Sequence, residues 1–202
     1  GASNVAVGRT ALNALTTGAN NVAVGKDSLK TNTTASGNTG VGESALELTT
    51  TGCCNTAVGN GALQANTTGD DNVAVGQAAL AFATTADNNT AVGKFAMFCN
   101  TTGCRNTAVG FQAGGDNTTG CENAFFGRLA GCENTTGGAN TGIGSASFSS
   151  NTTGCYNTAI GHSALETNTT ASNNVAVGYR SLGGNTTGTR NVAIGTCSFL
   201  VS

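Results

Sequence analysis

One asparagine recurs every seventeen residues along almost the whole chain. Twelve copies of a repeat start at it without an insertion or a deletion, and the consensus reads N-[TV]-A-[VI]-G-x-x-[AS]-L-x-x-N-T-T-G-x-x. A strict period of this length indicates a repeat architecture, in which each copy buries its apolar side only against its neighbours. Positions of a repeat are counted from this asparagine, which is found at Asn4, Asn21, Asn38, Asn55, Asn72, Asn89, Asn106, Asn123, Asn140, Asn157, Asn174 and Asn191.

The composition without the period would suggest disorder, because 31 of the 202 residues are glycine and only 9% are charged. The period overrules that interpretation, since disordered tracts do not keep a bulky apolar residue in register at position 4. A formal net charge of −2 and the lack of a basic patch in the sequence exclude an electrostatic nucleic-acid binder. The apolar runs are far shorter than the roughly twenty residues that a membrane-spanning helix needs. We therefore expect neither a nucleic-acid partner nor a membrane span.

The segment N-T-A-V-G, as in residues 106–110, alternates as a strand does. Position 4 is aliphatic in nearly every copy and position 3 is nearly always Ala or Gly, so both faces of this strand are expected to be dry. A glycine closes the strand in all twelve copies, which indicates a backbone angle that a side chain would forbid. A second short strand is predicted at the Ala-Leu pair, as in residues 62–63, and the N-T-T-G segment is predicted to form the second turn.

A helix is excluded, because each copy carries several Gly, Asn and β-branched residues and no helical apolar stripe. The sequence therefore predicts an all-β chain. Its fold is expected to be a parallel β-solenoid or β-roll of twelve 17-residue rungs with two short strands each, in a single domain over residues 1–202. Stacked rungs place identical residues above one another about 4.8 Å apart. We interpret the recurring asparagine as an internal clamp that hydrogen-bonds from rung to rung, rather than as a ligand-binding residue.

The words NTAVG, AL and NTTG, as at residues 106–110, 62–63 and 117–120, resemble the tandem repeats of bacterial surface proteins and phage tail-fibre-like proteins. They are also similar to the shorter repeats in the heads of trimeric autotransporter adhesins, which form left-handed parallel β-rolls. The resemblance covers the whole chain and implies a shaft outside the cell or at its surface. The present unit is longer than an adhesin-head repeat, and these 202 residues contain no recognisable stalk, membrane anchor or intramolecular chaperone segment. Burial of the dry strand face between chains would suit a trimer.

Both ends of the sequence fall within the same turn of the repeat, since residues 1–3 match residues 103–105 and Ser202 matches the asparagine of N-T-T-G. A solenoid without caps exposes unpaired strand edges. We therefore expect copies of the chain to stack head to tail into a filament, with lateral contacts as a further option. The alternative is that the sequence is a piece excised from a longer fibre. The expected interface comprises Gly1, Asn4, Val5, Val7, Phe199, Leu200 and Val201.

Eight cysteines favour an oxidising, extracellular compartment. Cys104 and Cys121 share one column on consecutive rungs, a spacing that a disulfide can bridge. Alternatively Cys104 pairs with Cys99 across one turn and leaves Cys121 for Cys132. A single histidine and the lack of a repeated C-x-x-C argue against zinc. The other candidates are the vicinal Cys53 and Cys54, together with Cys155 and Cys197, which have no obvious partner within one copy and would bridge to a neighbouring copy.

The N-T-T segments carry formal acceptor sites for sugars. Closely stacked rungs leave little room for a bulky N-glycan on each, so O-linked sugars on threonine are the more reasonable expectation for an extracellular fibre. Regular threonine ladders also raise the alternative of ice binding, which requires two threonines on one face. The asparagine candidates are Asn32, Asn66, Asn100, Asn117, Asn134, Asn151, Asn168 and Asn185, and the threonine candidates are Thr67, Thr101, Thr118, Thr135 and Thr152.

We find no catalytic constellation in the sequence. His162 and Ser163 are adjacent and would point to opposite faces of a strand, and Asp70, Asp71 and Asp87 do not match a calcium-binding repeat. The chain is accordingly expected to be no enzyme and to need neither a cofactor nor a metal. The predicted function is that of a structural subunit of an extracellular fibre that polymerises head to tail and carries sugars. The alternatives are a shaft or binding segment of a trimeric adhesin or phage tail fibre and, less favoured, an ice-binding protein.

Overall fold

A computed structural model describes residues 1–199 of the chain. They form two compact units, of which the first is Gly1–Thr102 and the second begins at Gly103. The described residues form no helix, so none of them can cross a bilayer as a long apolar helix. The prediction of a single domain over residues 1–202 stays a prediction.

Each unit is a β-solenoid in which every rung contributes one three-residue strand. Neighbouring strands within a unit are parallel and pair position for position, as Val5 does with Val22 and Thr158 with Val175. The predicted all-β solenoid with a 17-residue repeat is thereby confirmed. The strands of the first unit are β1 Val5–Val7, β2 Val22–Val24, β3 Thr39–Val41, β4 Thr56–Val58, β5 Val73–Val75 and β6 Thr90–Val92. Those of the second unit are β7 Thr107–Val109, β8 Ala124–Phe126, β9 Thr141–Ile143, β10 Thr158–Ile160, β11 Val175–Val177 and β12 Val192–Ile194.

The second strand predicted for each rung is wrong throughout the described residues, because the Ala-Leu segment is a turn. Positions 7 and 9 both adopt left-handed backbone angles, as at Ser163 (φ 55°) and Leu165 (φ 50°). Two left-handed residues out of three cannot form an extended strand. Ala164 between them donates its N–H back to the carbonyl of Gly161, while Leu165 donates to Ser181 on the next rung. The leucine is apolar because this turn directs it into the core.

The core lies between the small side chains of position 3 and the large ones of position 9. Ala57 and Leu63 fill these positions in the fourth rung, and both are fully buried. In the eighth rung the sizes are exchanged, with Phe125 at position 3 and Gly131 at position 9. A Cβ added to Gly131 would lie 2.4 Å from the Phe125 ring, so the phenyl group occupies the space that a leucine takes elsewhere. The eighth rung therefore fills the same core space although its residues differ.

The bulky side chains of position 4 lie on the outer face of each strand, contrary to the expectation that both faces are dry. Val58 is 37% exposed and Ile143 is 40% exposed, whereas the alanines of position 3 are buried in every rung but the first. Successive residues of a strand point to opposite sides, so the burial of Ala57 turns Thr56 and Val58 outward. Each unit consequently carries an outer column of aliphatic side chains.

The glycine that closes each strand is required by its backbone and by the close stacking of rungs. Gly59 has a φ of 137°, which side chains rarely adopt. A Cβ on Gly59 would also lie 2.5 Å from the carbonyl oxygen of Gly76 on the next rung. The prediction of a glycine-specific backbone angle at position 5 is confirmed.

Candidate functional site

The asparagines of position 1 form a buried ladder that clamps each rung shut and ties it to the next. Asn72 donates its backbone N–H to Oδ1 of Asn55 over 3.0 Å, and its Nδ2 donates to the same oxygen over 3.1 Å. The same Nδ2 also donates to the carbonyl of Ala86 over 2.7 Å, which closes the rung. Both asparagines are fully buried. The interpretation of this column as an internal clamp is confirmed.

The strand β1 leaves one edge without a strand partner in the described chain. Within the first unit, Val5 donates its N–H to the carbonyl of Asn21 over 2.8 Å, and Gly25 donates to the carbonyl of Val7 over 2.8 Å. Because this pattern repeats from rung to rung, the outer edge of β1 presents the carbonyl of Asn4 as an acceptor. It presents the N–H of Gly8 as a donor.

The outer edge of strand β12 exposes the other half of the same hydrogen-bonding pattern. Val175 donates to the carbonyl of Asn191 over 2.8 Å, and Gly195 donates to the carbonyl of Val177 over 2.8 Å. The outer edge of β12 thus presents the N–H of Val192 as a donor and the carbonyl of Ile194 as an acceptor. The two side chains are 70% and 72% exposed, well above the others of their columns.

The two edges are complementary in hydrogen bonding and in register. A rung added beyond β12 would place its asparagine carbonyl over the Val192 N–H and its glycine N–H over the Ile194 carbonyl, which are the groups that β1 presents. The ladder would continue as well, since the N–H of Asn4 matches Oδ1 of Asn191. Of the other predicted interface residues, Gly1 donates its amino group to the carbonyl of Thr16, and Phe199 is exposed. Leu200 and Val201 lie outside the described residues.

The asparagines of the N-T-T turns are buried, and their amide groups hold the turn. Nδ2 of Asn151 donates to Oδ1 of Asn134 over 2.6 Å and to the carbonyl of Gly154 over 3.1 Å. A sugar on such a nitrogen would displace these bonds. Glycosylation of this column stays a prediction, and the folded rung offers it no exposed nitrogen. The buried set comprises all eight asparagine candidates, Asn32, Asn66, Asn100, Asn117, Asn134, Asn151, Asn168 and Asn185.

The two threonines of each turn differ in exposure. The first, at position 13, is half-buried in the predicted acceptors and uses its hydroxyl as a rung-to-rung donor, as Thr135 does to the carbonyl of Thr152 over 2.9 Å. The second, at position 14, is exposed in every rung, as at Thr136. The pair thus offers one outward hydroxyl per rung, and not the two on one face that ice binding was expected to need. Sequence reasoning missed position 14 as the more exposed threonine of each pair, because strict alternation after the buried asparagine would have turned position 13 outward instead.

The eight cysteines are in the thiol form and not in disulfides in the structure, and one pair of sulfurs lies in contact. Sγ of Cys104 and Sγ of Cys121 are 2.9 Å apart. The hydrogen bond between the two thiols raises the pKa of Cys104, and burial adds to the shift. Cys132 instead donates to the carbonyl of Ser149 over 3.4 Å, and burial raises its pKa. Of the remaining candidates, Cys54 is exposed, and Cys53, Cys99, Cys155 and Cys197 are half-exposed.

Position 16, which holds four of the cysteines, has a structural role that sequence reasoning missed. Its side chain accepts the backbone N–H of position 16 on the preceding rung. Cys155 accepts from Gly138 over 3.3 Å, Ser36 from Ala19 over 3.0 Å and Asp87 from Asp70 over 2.8 Å. Cysteine, serine and aspartate share this column because each has an acceptor atom at the required reach. The signal was available in the sequence, since these three residue types fill most positions of the column.

Two of the three acidic residues weighed for calcium, Asp70 and Asp87, belong to the same column of acceptors at position 16. Asp70 accepts the N–H of Cys53 over 2.6 Å while Asp87 accepts that of Asp70. Among residues 1–199 no group of three or more histidine, cysteine, aspartate or glutamate side chains is placed to hold a metal ion. His162 lies on the surface against the ring of Tyr179, with ring centroids 5.6 Å apart. The β-solenoid fold itself is typical of structural repeat proteins.

No family model matches the chain, and neither a curated protein nor a solved structure matches it.

Proposed function

We propose that the chain is the structural subunit of an extracellular fibre and that copies join head to tail through β1 and β12. The observation that carries this proposal is the complementarity of the two open edges. Each edge presents backbone donors and acceptors at the spacing that the rungs use among themselves. Pairing of strand edges between chains is a general route to assembly, and a contact between two different surfaces does not close on itself.

The apolar side chains at the two edges add a hydrophobic contribution to the same junction. Val5 and Val7 of one copy would come to lie beside Val192 and Ile194 of the next, as Val175 and Val177 lie beside Val192 and Ile194 within the chain. All four side chains at the open edges are exposed. Burial of this apolar surface favours association on top of the backbone hydrogen bonds. The extracellular location rests on the eight cysteines and on the resemblance to surface and tail-fibre repeats.

A charge exchange at the junction tests the proposal. Register places position 2 of one copy directly opposite position 2 of the next, so Val5→Lys with Val192→Lys opposes two like charges. Val5→Glu with Val192→Lys opposes unlike charges at the same two sites and is the matched control. Electron microscopy of the purified full chain should show long filaments for the unmodified chain and for the Glu/Lys variant, and short particles for the Lys/Lys variant. Raising the salt concentration should lengthen the Lys/Lys assemblies, because salt screens exposed charges.

Two results would overturn head-to-tail assembly. One is uniform short particles from the unmodified chain, and the other is equal filament length in both double variants.

The extracellular location is tested separately, by treating intact producing cells with a membrane-impermeant amine label. The chain should be labelled at Lys26, Lys30 or Lys94 before lysis, and labelling only after lysis would contradict an extracellular fibre.

A second candidate is a shaft in which several chains lie side by side, as the resemblance to trimeric adhesins implies. The half-exposed aliphatic column of position 4 favours it, since such a column suits burial between chains. The Lys/Lys variant separates the two candidates because its ends are blocked. If chains associate only head to tail, the blocked Lys/Lys variant should be monomeric, and sedimentation equilibrium should give the single-chain mass of 19.7 kDa. A multiple of that mass, reduced by Val58→Lys with Val75→Lys, would instead support the lateral shaft.

A further inference from the structure

The sulfurs of Cys104 and Cys121 are the one pair of cysteine sulfurs whose contact is recorded among residues 1–199. Both residues occupy position 16, on consecutive rungs of the second unit. The Sγ–Sγ distance is 2.9 Å, and the N–H of Cys104 also reaches Sγ of Cys121 over 3.1 Å. Both side chains are half-exposed, so small molecules in solution reach the sulfurs. We propose that these two thiols are a dedicated redox site, which a small-molecule disulfide such as oxidised glutathione converts into a rung-to-rung disulfide.

The column itself makes the pair selective. Position 16 holds Ser36 before Cys53 and Asp70 after it, and it holds Gly138 before Cys155 and Ser172 after it. Neither of these cysteines has a sulfur on an adjacent rung of its column. Cys104 and Cys121 are the only two cysteines that occupy position 16 on consecutive rungs. Selectivity therefore arises from stacking order and not from a general reactivity of the thiols.

The fold tolerates either state of the pair. Elsewhere in the column serine or aspartate accepts the same backbone N–H, and Ala19 and Gly138 show that a rung also forms without a side-chain acceptor at position 16. A disulfide keeps the sulfur of Cys121 close to the N–H of Cys104. A disulfide holds its two sulfurs about 2.0 Å apart, so only a small movement of two partly exposed side chains is required.

The chemistry is a two-step thiol–disulfide exchange. The Cys121 thiolate attacks one sulfur of oxidised glutathione, the glutathione S–S bond breaks, and one glutathione leaves as a thiolate. Cys104 then gives its proton to solvent and attacks Sγ of Cys121 in the mixed disulfide, which releases the second glutathione. Two protein thiols are oxidised and one glutathione disulfide is reduced to two glutathione thiols. The hydrogen bond to Cys121 raises the pKa of Cys104, which disfavours Cys104 as the thiolate of the first step.

The oxidised link would act on one turn of the solenoid. It joins the residue after one N-T-T-G turn to the corresponding residue one rung on and so closes a loop of seventeen residues. Opening of this turn requires the two rungs to separate, which the link prevents. Amide hydrogen exchange at Glu122, whose N–H is bonded to the carbonyl of Cys104, should slow by at least about tenfold on oxidation.

The experiment is a redox titration of the full chain in glutathione buffers, quenched with an alkylating reagent and analysed by mass spectrometry. Trypsin cuts after Arg105 and Arg128, so the two cysteines fall on separate peptides and the link joins them. Cys99 shares a peptide with Cys104, and fragmentation of the linked peptides distinguishes the two. We expect the Cys104–Cys121 link to form at a glutathione disulfide concentration at least about tenfold lower than any other link, since its effective concentration is highest.

Two variants complete the test. Cys121→Ser keeps an acceptor for the Cys104 N–H and should leave the solenoid intact, but Cys104 should then form no link to another cysteine of the chain at the glutathione ratios that join it to Cys121 in the unmodified chain. Cys155→Ser is the matched control in the same column and should leave the link unchanged. The proposal is overturned when Cys104 and Cys121 are alkylated in parallel with Cys155, or when Cys104 links to Cys99 as readily as to Cys121. These outcomes do not depend on whether the chain forms filaments.

Discussion

The fourth rung, residues 55–71, and the eighth, residues 123–139, solve the same packing problem with different residues. The fourth has Ala57 and Leu63 facing the core, whereas the eighth has Phe125 and Gly131. Their hydrogen-bonded frames nevertheless agree, because each has a buried asparagine at position 1 that donates to the preceding rung and closes its own. The comparison teaches that these two rungs keep the same ladder bonds while they fill the core with different residues.

The largest expected effect comes from breaking the volume balance of the eighth rung. Phe125→Ala leaves a cavity because Gly131 has no side chain to fill it, and we expect a loss of about 3–5 kcal/mol in the free energy of unfolding. Phe125→Ala with Gly131→Leu recreates the core of the fourth rung. Since Gly131 has a φ of 58° and Leu63 a φ of 50°, leucine fits that backbone, and most of the loss should be recovered.

Urea denaturation of the two single variants and the double variant measures this coupling. Gly131→Leu alone should be destabilising, because a Cβ there meets the Phe125 ring. The two single effects should therefore sum to far more than the effect of the double variant. Additive effects would contradict the idea that volume alone distinguishes these rungs.

The next largest effect comes from the feature that the two rungs share. Asn55→Ala and Asn123→Ala each leave a backbone N–H of the next rung and a turn carbonyl without their partners. Buried groups left unpaired cost about 1–3 kcal/mol each, so we expect about 2–4 kcal/mol from either substitution. Asn60→Ala, at an exposed position of the fourth rung, is the control and should change stability by no more than about 0.5 kcal/mol. A large difference between the Asn55 and Asn123 variants would show that the ladder is not equivalent in the two units.

A smaller effect is expected within the N-T-T turns. Thr135→Val removes the hydroxyl that donates to the carbonyl of Thr152, which should cost about 1 kcal/mol. Thr136→Val changes an exposed hydroxyl of the same turn and should cost no more than about 0.5 kcal/mol. Chemical denaturation of both variants gives the difference. Equal costs would contradict the assignment of an inner and an outer threonine.

The smallest effect belongs to the outer surface, where rungs differ freely. The hydroxyl of Thr10 donates to Asp27 over 2.5 Å and lowers the pKa of that carboxyl, with a further contribution from Lys30. A lowered folded-state pKa means that this stabilisation is complete above the unfolded-state value of about 3.9 and is lost as the pH falls through the folded-state value. Thr10→Val should raise the pKa of Asp27 in an NMR titration. An unchanged titration would remove Thr10 as the cause.

Much of the fold could be predicted from the residues, because a strict period places every rung in the same environment. The solenoid, the asparagine clamp and the glycine at position 5 follow from the spacing alone. The Ala-Leu segment could not be assigned correctly, since the same apolar pair is compatible with a strand and with a turn of left-handed residues. Left-handed angles at Leu63 and Leu165 contradict the usual preference of leucine, and only the stacked neighbours impose them.

The candidate sites were predictable to a lesser extent. The pairing of Cys104 with Cys121 was one of two options in the sequence; their thiols lie in contact in the structure, and the disulfide itself stays a prediction. The exposure of Thr136 and the burial of Asn134 depend on which way the turn faces, and the repeat pattern does not state that. The outward direction of position 4 was likewise hidden, because Val beside Ala leaves both faces of the strand apolar.

The most direct test of head-to-tail assembly is a cryo-electron-microscopy reconstruction of filaments formed by the unmodified chain. The account predicts parallel strands spaced about 4.8 Å apart that continue without a gap from β12 of one copy to β1 of the next. The density there should place the N–H of Asn4 on Oδ1 of Asn191. Filaments in which both edges remain unpaired, or an absence of filaments, would contradict the account.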